Sequence, residues 1–332
     1  MFVNLGTPSS PNVKDVRRYL RQFLTDPYVI SIPVLFRYML VYGIIAPFRG
    51  PKSAHAYQTI WDNEKGSPLL FYSIEFLEKF KKLSHEYDHV DLAMRYGEPS
   101  IKSAIERVNH SGVKKLSLFN LYPQYAESTT KTAVDEVVKY LNPDIELEYL
   151  PYFYSNSEYL NSMTKSLESY QGFDHTLFSY HGLPESHIQK LDQTGKCLTS
   201  KCCEALDNTR LDYCYRAQCF HTTKLIAERL QIKKWSYSFQ SRFGKKWIKP
   251  FTDIEVERLA KEGVKRLLVV SPAFVTDCLE TLEELHIGLK ESFLQAGGVE
   301  LKVVPCLNAN DDWVEACLKI TQDDALWRHL HV

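Results

Sequence analysis

The segment VKRLLVVSPAFVTDCLETLEEL, residues 264–285, contains the pattern that decides the fold. Its first part, 264–273, is mostly apolar, as expected of a strand buried on both faces of a sheet. Its second part begins a helix at about Val275. A buried strand that leads at once into a helix is half of a βαβ unit, whose strands are parallel. The segment therefore predicts an α/β fold with parallel sheets.

The same alternation continues along almost the whole chain. Apolar runs separated by helix-period segments lie at residues 1–5, 89–96, 115–122, 145–150, 175–181, 234–241, 264–273 and 301–307. Eight strands with intervening helices imply right-handed βαβ units. A division into four strands each predicts two similar domains, 1–153 and 154–332, with a C-terminal helix in the second. In such folds ligands bind beyond the carboxyl ends of the strands.

The composition excludes some classes of partner and location. With 40 basic and 41 acidic residues, the formal net charge is −1, which argues against nucleic acid as the main partner. The first residues, MFVNLGTPSSP, contain no basic stretch and no apolar core of a signal peptide. We therefore expect a cytoplasmic chain, in which thiols are reduced by default.

Residues 28–48, YVISIPVLFRYMLVYGIIAPF, form the most apolar stretch. Pro33, Arg37 and Pro47 make it a poor transmembrane candidate. Two alternatives remain open at this point: a buried helix, or an exposed apolar lip that takes an apolar ligand or rests on a membrane surface.

Five of the eight cysteines lie in one short polar stretch, at positions 197, 202, 203, 214 and 219. The spacing Cys197-x4-Cys202-x11-Cys214-x4-Cys219 is suitable for a four-thiolate metal or iron–sulfur site. Cys202 and Cys203 are adjacent, so we expect only one of them to be a ligand. Zinc, a [2Fe–2S] cluster and disulfides are the alternatives.

Polar residues at the predicted strand ends are the candidates for chemistry. His181 ends strand 175–181 and is a candidate base or metal ligand, or else a structural histidine. Asp277, Glu280 and Glu284 have the spacing i, i+3, i+7, which predicts one acidic helix face. That face is either simply solvated or a path for a cation or protons.

Other strand ends carry groups suited to a flat, acidic ligand. An arginine at 95 or 242 could hold a ligand carboxylate, and the tyrosines could stack on a ring. The candidates are Arg95, Tyr96, Tyr122, Gln124, Ser128 and Arg242. Further on, Thr252 and Glu255 fit a capping box at a helix start. The sequence contains no glycine-rich dinucleotide motif, P-loop or G-x-S-x-G, which argues against common nucleotide-binding and hydrolase functions.

Taken together, these residues resemble the ferrochelatase family, which inserts ferrous iron into a porphyrin to make haem. The matching motifs are NLGTP (4–8), RRYLRQFLTDPYVI (17–30), GSPL (66–69), RYGEPS (95–100), LYPQYAESTT (121–130), SYHGLP (179–184), FQSRFGKKWIKPFTD (239–253), PAFVTDCLETLEEL (272–285) and LN (307–308). The resemblance covers nearly the whole chain and is greatest to the branch that uses protoporphyrin IX. It implies two Rossmann-like, chelatase-type domains, each with a four-stranded parallel sheet, and a porphyrin cleft between them.

The resemblance also implies roles for residues. His181 matches the active-site histidine, Glu280 the glutamate across the macrocycle, and Glu284 and Asp277 an acidic path leading away from it. Ferrous iron as substrate would then meet His181 and Glu280. Arg95, Tyr96 and Ser128 match pocket positions, and the apolar lip at 28–48 implies a peripheral membrane contact.

For the cysteines, the resemblance favours an iron–sulfur cluster. Some bacterial members carry a [2Fe–2S] cluster in one internal segment, and the insert at about 196–220 looks like that class, with structural Zn²⁺ as the alternative. Rival functions are a coproporphyrin ferrochelatase, a chelatase that inserts cobalt into sirohydrochlorin, and a non-catalytic tetrapyrrole- or metal-binding protein.

Overall fold

A computed structural model describes residues 1–192, 195, 197–199, 202–203 and 208–330. Parts of the expected insert, namely 196, 200–201 and 204–207, lie outside these residues. The described chain forms two compact units. The first contains Met1–Tyr122, Glu127–Tyr152 and the chain from Ala309 onward, and the second contains Pro123–Ala126 and Phe153–Asn308.

The first unit is built on a sheet of five strands in the order β2-β1-β3-β4-β9. The strands are β1 (Phe2–Gly6), β2 (Leu92–Tyr96), β3 (Lys115–Asn120), β4 (Glu146–Leu150) and β9 (Arg328–Leu330). The first four are parallel, as predicted, and β9 is antiparallel to β4. Its helices are α1 (Val13–Leu24), α2 (Val34–Leu40), α3 (Ala46–Ile60), α4 (Pro68–Leu83), α5 (Ile101–His110), α6 (Thr132–Tyr140) and α13 (Asp311–Thr321), with π-helical turns at Val41–Ile45 and Glu127–Lys131 and a 3-10 turn at Asp324–Leu326.

The second unit is built on four parallel strands in the order β6-β5-β7-β8. They are β5 (His175–His181), β6 (Trp235–Gln240), β7 (Arg266–Val270) and β8 (Glu300–Val303). The surrounding helices are α7 (Ser157–Leu167), α8 (Glu185–Leu191), α9 (Asn208–Tyr213), α10 (Tyr215–Arg229), α11 (Thr252–Lys261) and α12 (Lys290–Gln295). A π-helical segment, Glu280–Leu289, leads into α12.

Each sheet is covered by apolar helix faces. In the first unit, Ile101 and Ile105 of α5 pack with Val137 of α6 and Leu118 of β3. In the second, Val256 and Leu259 of α11 pack with Leu177, Leu267 and Phe293. The 3.6-residue spacing of these helices and the apolar strands between them are sufficient to predict the α/β class.

The C-terminal segment corrects the predicted division into 1–153 and 154–332. Helix α13 and strand β9 belong to the first unit, not the second. Trp313 is fully buried, with its ring 6.4 Å from that of Phe76 on α4, and Leu330 pairs with Leu147 on β4. Burial of this apolar surface, which sequence order does not reveal, returns the segment to the first sheet.

The predicted capping box is also wrong. Helix α11 begins at Thr252 with Phe251 as its N-cap, and no side chain caps it. Glu255 instead pairs with Arg258, with an N···O distance of 2.7 Å. The Thr252 hydroxyl turns to Ser179 and Ser238, at 3.0 and 2.9 Å.

Candidate active site

His181 lies at the carboxyl end of β5, beside Gln240 at the end of β6. Its Nδ1 is 2.6 Å from the carbonyl oxygen of Gly182. Because a carbonyl only accepts, Nδ1 carries the hydrogen, so the neutral tautomer of this ring has its lone pair on Nε2. The rings of Trp247 and Phe274 lie 6.4 Å from the imidazole, and the Tyr215 hydroxyl donates to the His181 carbonyl at 2.9 Å. His181 therefore has a fixed ring orientation at the end of β5.

Glu284 lies on the π-helical segment and is held by two residues at the end of β6. The Ser241 N–H donates to Oε1 at 2.8 Å, the Ser241 hydroxyl to Oε2 at 2.5 Å, and Gln240 Nε2 lies 3.5 Å from Oε2. Burial raises the pKa of Glu284, and the negative charge of Glu280 adds to the increase, while Ser241 and His181 act against it. Glu280, Glu284 and His181 are thus electrostatically linked within one unit.

Asp277 does not share this face. The helix begins only at Leu279 and Glu280, so Asp277 precedes it in irregular chain. Its buried carboxylate accepts hydrogen bonds from Asn308 Nδ2 at 2.7 Å, Thr281 Oγ1 at 2.8 Å and the Cys306 N–H at 3.3 Å. The predicted i, i+3, i+7 stripe therefore reduces to Glu280 and Glu284, with Asp277 anchoring the loop beneath them.

In the first unit, Arg95 and Tyr96 bind a residue that the sequence analysis missed, Asp26. Arg95 contacts Asp26 Oδ2 at 2.6 Å, and the Tyr96 and Thr132 hydroxyls donate to the same oxygen at 2.9 and 2.5 Å. The Tyr28 N–H donates to Oδ1 at 2.7 Å. Only the Asp-Pro turn signal in LTDPY could have indicated such a group. Tyr96 is fully buried, so its ring is not a stacking surface.

The remaining predicted pocket residues differ in their surroundings. Tyr122 is buried, burial raises its pKa, and its hydroxyl has no partner among the described residues. Gln124 is buried in the second unit and donates to Thr222 Oγ1 at 3.2 Å. Ser128 lies in the π-helical turn Glu127–Lys131. Arg242 pairs with Asp253 and covers the Phe251 ring at 4.3 Å.

The apolar stretch is largely exposed, which decides between its two alternatives. Within the apolar lip, residues 28–48, eight large apolar side chains between positions 34 and 48 are exposed, among them Leu35 at 67% and Phe48 at 77%. The buried residues of the stretch include Val41, Ile45 and the charged Arg37, which donates to the carbonyls of Ile30 and Ile32 at 3.2 and 2.9 Å. Exposed apolar side chains grouped in one segment are typical of binding surfaces. Among the described helices, none is long and apolar enough to cross a membrane.

Several thiols lie near the start of α10, and two of them contact the Arg216 guanidinium. The sulfurs of Cys202 and Cys203 are 3.9 Å apart and lie 3.6 and 3.2 Å from Arg216 Nη1. Cys214 hydrogen bonds Cys203 and Cys197, and the bond from Cys203 lowers the pKa of Cys214 to about 6. Cys219, fully buried, hydrogen bonds Tyr215.

The donor set of several thiols fits a thiolate metal centre. Arg216 favours the charged form of Cys203, but the hydrogen bond to Cys214 and burial raise the pKa of Cys203 on balance, and burial raises that of Cys197. The thiols are nevertheless not closed around a common centre. Within the described ranges, no group of three or more His, Cys, Asp or Glu side chains is placed so that it could hold a metal ion. The contacts thus identify the neighbouring sulfurs without giving a ligand geometry.

Comparisons with known proteins agree on one family. The family model described as Ferrochelatase matches residues 1–325. The chain is 48% identical to the ferrochelatase of Ectopseudomonas mendocina (strain ymp) over 96% of both chains, and 47% identical to that of Azotobacter vinelandii (strain DJ / ATCC BAA-1303), covering 96% of this chain and 97% of the relative. A solved structure of SirB from Bacillus subtilis with Fe3+ has a TM-score of 0.52 at 12% identity, over 78% of this chain and 92% of that one. The last likeness supports the fold alone.

The Asp26 network gives a stability prediction. Replacing Asp26 by Ala should lower the free energy of unfolding by about 3–5 kcal/mol, because the partly buried Arg95 keeps only Glu136, 3.8 Å away, as a counter-charge and the Tyr96 and Thr132 hydroxyls lose their acceptor. Asp26→Asn should cost less, since its amide oxygen still accepts from Tyr96 and Thr132. Urea denaturation measures both. Equal stability of Asp26→Ala and the parent protein would contradict a stabilising role for the contacts of Asp26.

Proposed function

Because the chain belongs to the ferrochelatase family, it inserts ferrous iron into a porphyrin to make haem, and we propose that its porphyrin is protoporphyrin IX, metalated at His181. Family membership favours the enzyme over a non-catalytic carrier. The observation that supports the residue assignment is the His181 imidazole, oriented by the Gly182 carbonyl, together with the buried Glu284 carboxyl, whose pKa is raised by burial. An oriented imidazole and a carboxyl of raised pKa are groups suited to proton removal and transfer.

The reaction removes two pyrrole N–H protons from the porphyrin and places Fe²⁺ on its four nitrogens. We assign His181 as the group that takes a proton or binds the metal on one side of the ring, since its Nε2 lone pair is free for either. Glu280 and Glu284 supply hard oxygen donors that transfer the metal ion or the released protons. Asp277 serves this path indirectly, by anchoring the loop that begins the π-helical segment.

The proposed preference for protoporphyrin is based on the arginines that are available to bind substrate carboxylates. Protoporphyrin has two carboxylates, whereas coproporphyrin has four. The two arginines expected to bind carboxylates are both paired within the protein, Arg95 with Asp26 and Arg242 with Asp253. Arginines that are already neutralised suit the less charged substrate. Of the predicted ligand-binding residues, Tyr122 and Ser128 remain candidates for porphyrin contacts, with Gln124 positioning its loop.

We further propose a [2Fe–2S] cluster held by Cys197, Cys202, Cys203 and Cys214, which changes the expectation that only one of Cys202 and Cys203 is a ligand. Mutual contacts and the nearby Arg216 guanidinium support these four. Cys219 then acts as a buried small side chain against Tyr215, although the sequence spacing had suggested it as a ligand. When bound, the cluster would cross-link a polar segment that has little apolar content of its own. Structural Zn²⁺ is the alternative for the same sulfurs.

The apolar lip supports peripheral membrane contact at the cytoplasmic face. Its exposed side chains form a patch that water disfavours, and the exposed Arg49 and Lys52 adjoin it on α3. Apolar insertion combined with basic flanks is how proteins bind anionic lipid surfaces without spanning them.

Catalysis is tested by anaerobic metalation assays with Fe²⁺ and either protoporphyrin or coproporphyrin. We expect faster turnover of protoporphyrin, and a loss of about a hundredfold or more in kcat for His181→Ala, the usual contribution of a proton-transfer group. His110→Ala, an exposed histidine on α5, is the matched control and should keep full activity. A preference for coproporphyrin, or an active His181→Ala, would contradict the assignment.

The cluster is tested by visible absorption and by iron and sulfide analysis of aerobically purified protein. Cys203→Ser and Cys214→Ser should lose colour and bound iron. Cys219→Ser should keep both, because the Cys219 thiol forms a hydrogen bond with Tyr215 instead of binding the cluster. A colourless parent protein loaded with zinc would eliminate the cluster. Full loss of colour in Cys219→Ser would return that residue to the ligand set.

Membrane contact is tested by co-sedimentation with vesicles of phosphatidylethanolamine and phosphatidylglycerol. The double variant Leu35→Ser/Phe36→Ser should bind less than the parent, since each change removes exposed apolar surface from the lip. Val299→Ser, an equally exposed apolar residue in the second unit, is the control and should bind like the parent. No binding by the parent protein, at any lipid concentration, would refute the proposal.

A further inference from the structure

Ser241 has a backbone conformation that needs an explanation. Its φ is 61°, in the left-handed region that non-glycine residues rarely occupy. The conformation places both donors of one residue on one carboxylate, with the N–H on Oε1 and the hydroxyl on Oε2 of Glu284. Unfavourable backbone conformations persist where surrounding contacts require them, often at functional sites. The contact with Glu284 is such a requirement.

Gln240, the preceding residue, has an amide that can face only one way. Its Oε1 accepts from the Ser179 hydroxyl at 2.7 Å, and its Nε2 donates to the Glu280 carbonyl at 2.8 Å. A flipped amide would bring two acceptor oxygens together at Glu280. The same Nε2 therefore always faces Glu284 Oε2, at 3.5 Å.

The orientation is transmitted from buried hydroxyls behind Gln240. Ser179 uses its single hydrogen on Gln240, so it must accept from Thr252, whose oxygen lies 3.0 Å away. Thr252 in turn must accept from Ser238, at 2.9 Å. All three hydroxyl residues are buried, so water does not compete for these bonds. Donors thus run in one direction, from Ser238 through Thr252 and Ser179 to Gln240.

We infer that Gln240 and Ser241 are positioning residues for iron insertion, which fix the carboxylate of Glu284 through a one-way chain of hydrogen bonds that begins at Ser238. The inference rests on the role proposed above for Glu284. These hydrogen bonds join β5, β6 and the start of α11 to the π-helical segment. The Glu284 carboxylate therefore has a fixed orientation relative to His181 at the end of β5. Preorganised geometry of this kind lowers the barrier because little reorganisation is left for the reaction.

Single substitutions test this series of hydrogen bonds. Ser241→Gly removes only the hydroxyl, because glycine adopts the left-handed conformation freely. It should lower kcat by about ten- to a hundredfold, the range for losing a hydrogen bond to a charged group, with the KM for porphyrin unchanged. Ser179→Ala should cause a smaller loss, since it frees the Gln240 amide and leaves Ser241 in place. Ser241→Asn, which tolerates this conformation and carries a donor, should recover part of the loss.

Ser271→Ala is the matched control. Ser271 is also a buried serine just beyond a strand of this sheet, but its hydroxyl has no partner among the described residues. Its kcat should stay within about twofold of the parent, as expected when no hydrogen bond is lost. Thermal unfolding of every variant separates misfolding from mispositioning. A kcat loss for Ser271→Ala equal to that for Ser241→Gly would overturn the inference.

A double-mutant cycle with Glu284→Ala distinguishes the inference from the proposed function. If Ser241 acts only through Glu284, then Ser241→Gly should change kcat by less than about twofold in the Glu284→Ala background. The full Ser241→Gly effect in both backgrounds would reject the positioning role. Full activity of Glu284→Ala would instead reject the proposed role of Glu284 itself.

Discussion

The parallel pairing of β5 with β6 is the contact on which the candidate site depends. Six residue pairs in register, from Thr176 with Trp235 to His181 with Gln240, bring both strand ends to the same edge of the sheet. A shift of one residue would turn His181 to the opposite face and detach Ser241 from Glu284. Because the apolar residues of β5 are fully buried, that shift would cost the core several side chains. The register is therefore fixed by packing, and the chemistry uses it.

The pKa of Glu284 is set by opposing electrostatic effects at this edge of the sheet. Burial and the neighbouring Glu280 raise its pKa, and the Ser241 donors together with His181 act to lower it. The net increase brings the pKa of the carboxyl closer to neutral pH, where transfer of a proton in either direction is less costly. The same donors fix the direction of its oxygens. The contact between Ser241 and Glu284 thus influences both the orientation and the pKa of the Glu284 carboxyl.

Sequence patterns predicted the strands, the position of His181 at a strand end, and the pairing of Glu280 with Glu284. They failed where the determining contact is distant or the helix irregular. Asp277 left the acidic stripe because the segment from Glu280 is π-helical and begins after it, which a 3.6-residue period does not anticipate. Asp26 was missed because its partner Arg95 is 69 positions away. The C-terminal return to the first sheet has the same cause, since burial of Trp313 depends on α4.

The thiol segment and His181 are connected by a short path. Cys214 directly precedes α10, and the next residue, Tyr215, donates its hydroxyl to the His181 carbonyl at 2.9 Å. Anything that fixes the sulfur of Cys214 also fixes the first turn of α10, and with it the backbone that carries the imidazole. Fixing a helix terminus limits fraying, which is greatest in the first and last turns. A metal centre of the kind proposed for these thiols would therefore hold the strand end that carries His181, without taking part in the reaction.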